Sequence, residues 1–195
     1  MERKTVAVDK VLAEKLSDIA KREGKTIFSL INELIKAAID SAEMKESFME
    51  ILENHKNFNL TKDVGFTLIP LKLENFSLSI VFQDKITKEK LLNQWRNWGS
   101  WLGNYIKARF PDEEFTNIKK ISDTIFMSGE TFEMDPPNDE KSVNEVTIRI
   151  YGNVLGEERT QCLASAFEGI FEEFGFKTTL RDVSRGICRL VLKRQ

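Results

Sequence analysis

Residues 3–39 read RKTVAVDKVLAEKLSDIAKREGKTIFSLINELIKAAI, and the hydrophobic period changes at Asp9. Before it, Arg3, Thr5 and Ala7 alternate with Lys4, Val6 and Val8. A period of two predicts a strand over residues 3–8. Asp9 is placed to cap a helix, its carboxylate accepting from backbone N–H groups of the first turn. Val11, Leu12, Leu16, Ile19 and Ala20 then recur at helical spacing, and Gly24 is placed to end the run in the left-handed conformation. Thr26 is the next cap candidate. Beyond it Phe28, Leu30, Ile31, Leu34, Ile35, Ala38 and Ile39 form a broad apolar stripe on a second helix.

A lone short strand leaves its backbone donors and acceptors unpaired. The simplest partner is the same strand of a second copy, paired antiparallel. Val6 and Val8 would then face the helices, with Arg3, Thr5 and Ala7 outward. Such a two-stranded ribbon fits the DNA major groove. Strand, cap, helix, glycine turn and second helix resemble the ribbon-helix-helix family of DNA-binding proteins over about 40 of the 195 residues. The resemblance implies an intertwined dimer on double-stranded DNA. It implies base-facing roles for Arg3, Thr5 and Ala7, and phosphate contacts at Lys25, Thr26 and Ile27, where the second helix begins. Ala7 departs from the pattern, since its side chain forms no hydrogen bond. Up to Phe28 the head has seven basic and five acidic residues, which implies modest DNA affinity unless several dimers bind side by side. Dimerisation without DNA is the competing reading of the head.

Working outward, the chain divides into a head (1–42), a helical connector (43–63) and a body (64–195). Residues 40–54 contain neither Pro nor Gly, so a helix running on into the connector is expected, a solvated linker being the alternative. In the body, residues 64–71 and 76–82 read as strands and 87–110 as a helix. Residues 118–121 and 124–134 read as strands, and 135–142 as a proline-containing loop. The pattern then returns: strand 145–151, helix 157–174, and strands 176–183 and 187–192 turning at Ser184-Arg185-Gly186. The helix stripes superpose, Leu91 on Leu163, Trp95 on Phe167, Trp98 on Ile170 and Leu102 on Phe174. The expected fold class is therefore α+β: a ribbon-helix-helix module followed by two strand–helix–strand–strand repeats.

Composition narrows the function. At 41% hydrophobic the chain has the apolar content for a packed core, and the net charge of −2 advertises no nucleic-acid partner. No apolar run is long enough to span a bilayer and the start is not that of a signal peptide, so a cytoplasmic protein is expected. Cys162 and Cys188 are too few and too far apart for a disulfide framework or a zinc site, and are expected to be buried small apolar residues. A single histidine, His55, makes a His-rich metal centre impossible within one chain and disfavours a nickel-sensing role. No phosphate-binding glycine loop and no nucleophile elbow is present. No catalytic residue, metal or cofactor is expected.

The remaining lead is WRNWGSW (95–101). Trp95 and Trp98 lie on the apolar stripe of their helix, while Trp101 falls about a quarter turn away. Trp101 either flanks the core or is partly exposed. Trp101, Trp98 and Tyr105 are thus the ligand-binding candidates, for a small apolar or aromatic effector. In pattern alone the doubled body resembles GyrI-like ligand-binding domains, which implies an effector sensor. The expectation is a transcriptional regulator, a homodimer or larger oligomer, whose body senses a ligand or mediates assembly. The alternative is a non-enzymatic, antitoxin-like scaffold whose body holds a protein partner.

Overall fold

The computed structural model describes residues 7–45, 47–67, 69–126, 130–136 and 143–195. The chain forms two units, Met1–Lys56 and Asn57–Gln195, each taken by itself below.

The first unit is helical. It contains α1 (Lys10–Arg22), α2 (Ile27–Glu43) and the start of α3 (Phe48–Asp63), whose later residues belong to the second unit. Local chemistry sets the ends. The Asp9 carboxylate accepts from Val11 N at 2.9 Å and Leu12 N at 3.3 Å. Gly24, at φ +66°, turns the chain, and the Thr26 hydroxyl accepts from Ser29 N at 3.1 Å. After α2, Lys45 takes φ +61°, so the helix stops and a new one starts at Phe48.

Among the described residues the N-terminus is helical and no β-ribbon is present, which corrects the expected fold class. Ala7 and Val8 lie in irregular chain before α1, and the rest of the expected strand, with Arg3 and Thr5, lies outside the described residues. Alternation is a pattern of side chains. It becomes a strand only where backbone groups find partners.

The second unit is an antiparallel sheet covered by helices. Its strands are β1 (Thr131–Asp135), β2 (Glu145–Tyr151), β3 (Phe176–Ser184) and β4 (Ile187–Arg194), in the order β1-β2-β4-β3. Val146, Ile148 and Ile150 of β2 stand opposite Leu192, Leu190 and Cys188 of β4. All six are fully buried, so one sheet face is core. Helix α7 (Glu157–Glu172) packs on β3 and β4, and α5 (Lys85–Arg109) packs on α7. Enclosed in this way, α7 is buried at every position from Cys162 to Phe171.

The twofold repeat is also corrected. Residues 76–82 were expected as a strand but lie in α4 (Leu71–Val81) and its cap. The alternating Phe76 and Ile80 turn outward, 62% and 51% exposed. The inward positions are Leu71, Glu74, Asn75, Leu78, Val81 and Phe82, a helical period that includes two polar residues. The described residues of 64–71 form no strand either. Residues 118–121 lie in α6 (Glu114–Ile125), which buries Phe115, Ile118 and Ile121. Of the strand expected over 124–134, residues 124 and 125 lie in α6, 127–129 lie outside the described residues, and 131–134 lie in β1. The second half is strand–helix–strand–strand as expected; the first half is three helices and β1.

The α5–α7 contact is unusually close. A Cβ added at Gly99 would overlap the carbonyl oxygen of Ala166, and one at Gly169 would overlap that of Arg96. The two helices therefore touch backbone to backbone, and only glycine fits at either position. An ion-pair cluster brackets this crossing. The Arg96 guanidinium donates to both oxygens of the Glu172 carboxylate, through Nε at 3.0 Å and through Nη2. Buried Glu168 stands 3.9 Å from Arg96 and 3.4 Å from Arg181.

Candidate functional site

The superposed apolar stripes of α5 and α7 face one space. Leu91, Trp95, Trp98 and Leu102 from α5 and Leu163, Phe167 and Ile170 from α7 line a cavity of about 820 Å³ in the second unit. Phe66 closes on it from the segment after α3, and α6 supplies Ile118, Ile121 and Ser122. Aromatic faces meet at the wall. Phe66 stands edge-on to Trp98 with ring centroids 5.1 Å apart, and Trp95 edge-on to Trp98 at 6.1 Å. The space is of a size that receives a small organic molecule.

The polar groups of the lining are few. Arg159, in the first turn of α7, is largely enclosed. Its Nε lies 3.6 Å from a Glu74 oxygen and its Nη1 3.3 Å from a Glu130 oxygen, and both Arg159 and Glu74 line the cavity. Thr61, Ser122 and Thr124 also line it. Each of their hydroxyls donates its proton to a helix carbonyl, of Phe58, Ile118 and Lys120 respectively, at 2.8–2.9 Å. What these hydroxyls can still offer is an acceptor oxygen. Thr67, Gln94 and Lys62 line it from exposed positions, the Lys62 ammonium lying over the Phe58 ring.

Of the ligand candidates read from sequence, Trp98 lines this cavity. Trp101 and Tyr105 do not. Trp101 is 49% exposed and stacks on Tyr105, with centroids 5.6 Å apart and an interplanar angle of 19°. Arg109 continues this ladder, lying over the Tyr105 ring and bonding both the Tyr105 hydroxyl and Asp63. Trp101 is thus the partly exposed residue of the cluster.

The DNA candidates are placed as follows. Arg3 and Thr5 lie outside the described residues, and Ala7 is exposed in irregular chain. Lys25 is held by two carboxylates, Glu33 at 2.7 Å and Glu23 at 3.1 Å. The hydrogen bond to Glu33 raises the Lys25 pKa above the ordinary lysine value, and the same bond lowers that of Glu33. Its charge is taken up locally. Thr26 serves as a helix cap, and Ile27 is 43% exposed.

Sequence reasoning missed Arg159 and Glu74, and left Trp95 off the ligand candidates; Trp95 both packs against the core and lines the cavity. One signal for Arg159 existed. A cation in the first turn of a helix opposes the helix dipole, so it needs a local reason, and here two carboxylates supply it.

Both cysteines are buried, Cys162 on α7 and Cys188 on β4. Desolvation pushes each thiol up to about 12, so neither is a thiolate nucleophile at neutral pH. The folded pKa lies above the unfolded one, so the unfolded chain loses these protons first. This contribution is fully present below pH 9 and is lost as pH rises from about 9 to 12. Iodoacetamide at pH 8 is therefore expected to label neither thiol in the native protein and both in urea. Rapid labelling of the native chain would contradict the burial.

Among the described residues no group of three or more His, Cys, Asp or Glu side chains is placed to hold a metal ion. No helix among them is long and apolar enough to cross a membrane. Comparison with known proteins finds no matching family model, curated protein or solved structure.

Proposed function

We propose that this chain is a dimeric effector-binding protein, whose second unit takes up a small, mainly apolar molecule without turning it over. The observation that carries the reading is the cavity between the aromatic stripes of α5 and α7. Two features favour binding over catalysis. The lining is chiefly apolar, and its charged pair, Arg159 and Glu74, is engaged in ion pairing. The only two thiols of the chain are protonated and buried. The DNA partner expected from the ribbon is not part of this proposal, because no strand precedes α1 among the described residues.

The first unit supports the dimer. Among its described residues Ala20 and Leu30 are the buried apolar side chains, while Val11, Leu12, Phe28, Leu34, Ile35 and Ile39 stay 41–61% exposed. Phe28, Ile35 and Ile39 recur at i, i+7 and i+11 and share one face of α2. A helix pair of this size buries too little by itself to be stable. A face on which folding depends needs a cover that is present whenever the chain is, and a second copy is such a cover.

Tryptophan fluorescence tests the site. Titration with naphthalenemethanol, a neutral aromatic probe, is expected to change the emission of the wild type and of Trp101→Phe alike. The Trp95→Phe/Trp98→Phe variant, which keeps a ring at each position, is expected to lose the response. A response that follows Trp101 instead would move binding to the exposed ladder and refute the cavity reading.

A further inference from the structure

We infer that the cavity selects a cationic guest: an apolar or aromatic body carrying one ammonium or amidinium group. This rests on the proposed function and narrows it to a ligand class. A ligand's polar group must complement what the wall still has to give once its internal bonds are made. Thr61, Ser122 and Thr124 have donated their protons to Phe58, Ile118 and Lys120 carbonyls. Each can only accept. Glu74 lines the same space with a carboxylate, which accepts and carries negative charge. Arg159, the enclosed cation, directs Nε toward Glu74 and Nη1 toward Glu130, so its charge is matched by carboxylates already in place.

A carboxylate ligand would arrive as a third acid around one guanidinium and would find, at Thr61, Ser122 and Thr124, hydroxyls with no proton to offer; the donors left in the lining, Thr67 and Gln94, stand at its exposed side. An ammonium ligand finds acceptor oxygens and a carboxylate. It also finds the rings of Phe66, Trp95 and Trp98, whose faces attract cations. Lys62, the other cation of the lining, is exposed, and water screens it.

Three probes of one shape decide the question: 1-naphthylmethylamine, naphthalenemethanol and 1-naphthoate, titrated calorimetrically into the whole wild-type protein at pH 7. The amine is expected to bind roughly tenfold tighter than the alcohol, with the carboxylate weakest. Glu74→Gln is expected to remove most of the preference for the amine, read as the ratio of amine to alcohol affinity within the variant. The wild-type ranking needs no variant and stands even where Glu74→Gln folds poorly. If the alcohol or carboxylate equals or exceeds the amine, charge selection is overturned while the cavity remains a binding site. If none of the three binds, the proposed function falls and this inference with it.

Discussion

Gly169→Ala is expected to be among the most destabilising single methyl additions to this chain. The new Cβ would overlap the Arg96 carbonyl oxygen and stand 3.0 Å from the Arg96 carbonyl carbon and from Ser100 N. All three are backbone atoms of α5. No rotamer change relieves the overlap, so the helices must separate along their length. Overpacking of side chains costs about 1–3 kcal/mol, and backbone against backbone belongs at the top of that range or above. For a unit of this size about 3 kcal/mol lowers Tm by roughly 10 °C. Gly99→Ala, against the Ala166 carbonyl, is expected to behave alike. Separation of α5 from α7 would also distort the cavity wall, so binding of naphthalenemethanol should weaken in both variants. Gly156→Ala is the control. Its φ is −67°, and the nearest atom is the tip of the flexible Glu158 side chain at 3.2 Å. Circular dichroism melts give the comparison. A Gly169→Ala melt indistinguishable from that of Gly156→Ala would show that the helices do not meet through their backbones.

The second large effect concerns the first unit. Ile35→Glu/Ile39→Glu is expected to convert a dimer into a monomer of 22.5 kDa. Both side chains stand on the exposed face of α2, at 44% and 53% exposure, so neither glutamate clashes with anything within its own chain. A second copy does not tolerate the change. Full burial of an isoleucine is worth about 1.5–3 kcal/mol, and each dimer would lose four of them while taking in four charges. Sedimentation equilibrium reads the mass directly. Far-ultraviolet circular dichroism is expected to fall at the same time, since α1 and α2 have little core of their own. A wild-type chain that sediments as a monomer, with α1 and α2 fully formed, would remove the case for a second copy on this face.

Particular residues show how far local pattern reaches. Both ends of α1 and the start of α2 follow from Asp9, Gly24 and Thr26, whose effects act within one helical turn; the end of α2 at Glu43 does not, since the pattern there predicts a helix running on and Lys45 at φ +61° interrupts it. Local pattern also gives β2, α7 and β4, where the apolar period is clear, while the ends of β3, which buries Phe176 alone, follow from Gly175 and Gly186 at positive φ. Around α4 the pattern was ambiguous. Phe76, Leu78, Ile80 and Phe82 satisfy a period of two, while the true inward set includes Glu74 and Asn75. A polar residue faces inward only when something there receives it. For Glu74 that partner is Arg159, about eighty positions along the chain. A reading confined to neighbours has no access to it. Of the strand expected before Asp9, Ala7 and Val8 lie in irregular chain and the rest lies outside the described residues.

The candidate site divides along the same line. Trp98 and the facing stripes of α5 and α7 were visible in sequence, because apolar residues at helical spacing must be covered. That the covering leaves about 820 Å³ between the stripes was not visible, since the same stripes close solidly if the helices cross elsewhere. Gly99 and Gly169 place the crossing, and their effect appears only when two backbones approach. Sequence by itself determined where α1, α5 and α7 begin and end, where α2 begins, and which of their faces seek cover, because capping and periodicity are interactions between near neighbours. Tertiary structure alone decided that α4 and α6 are helices, that Arg159 meets Glu74, and that space remains beside Trp98, because each depends on contacts between residues far apart in the chain.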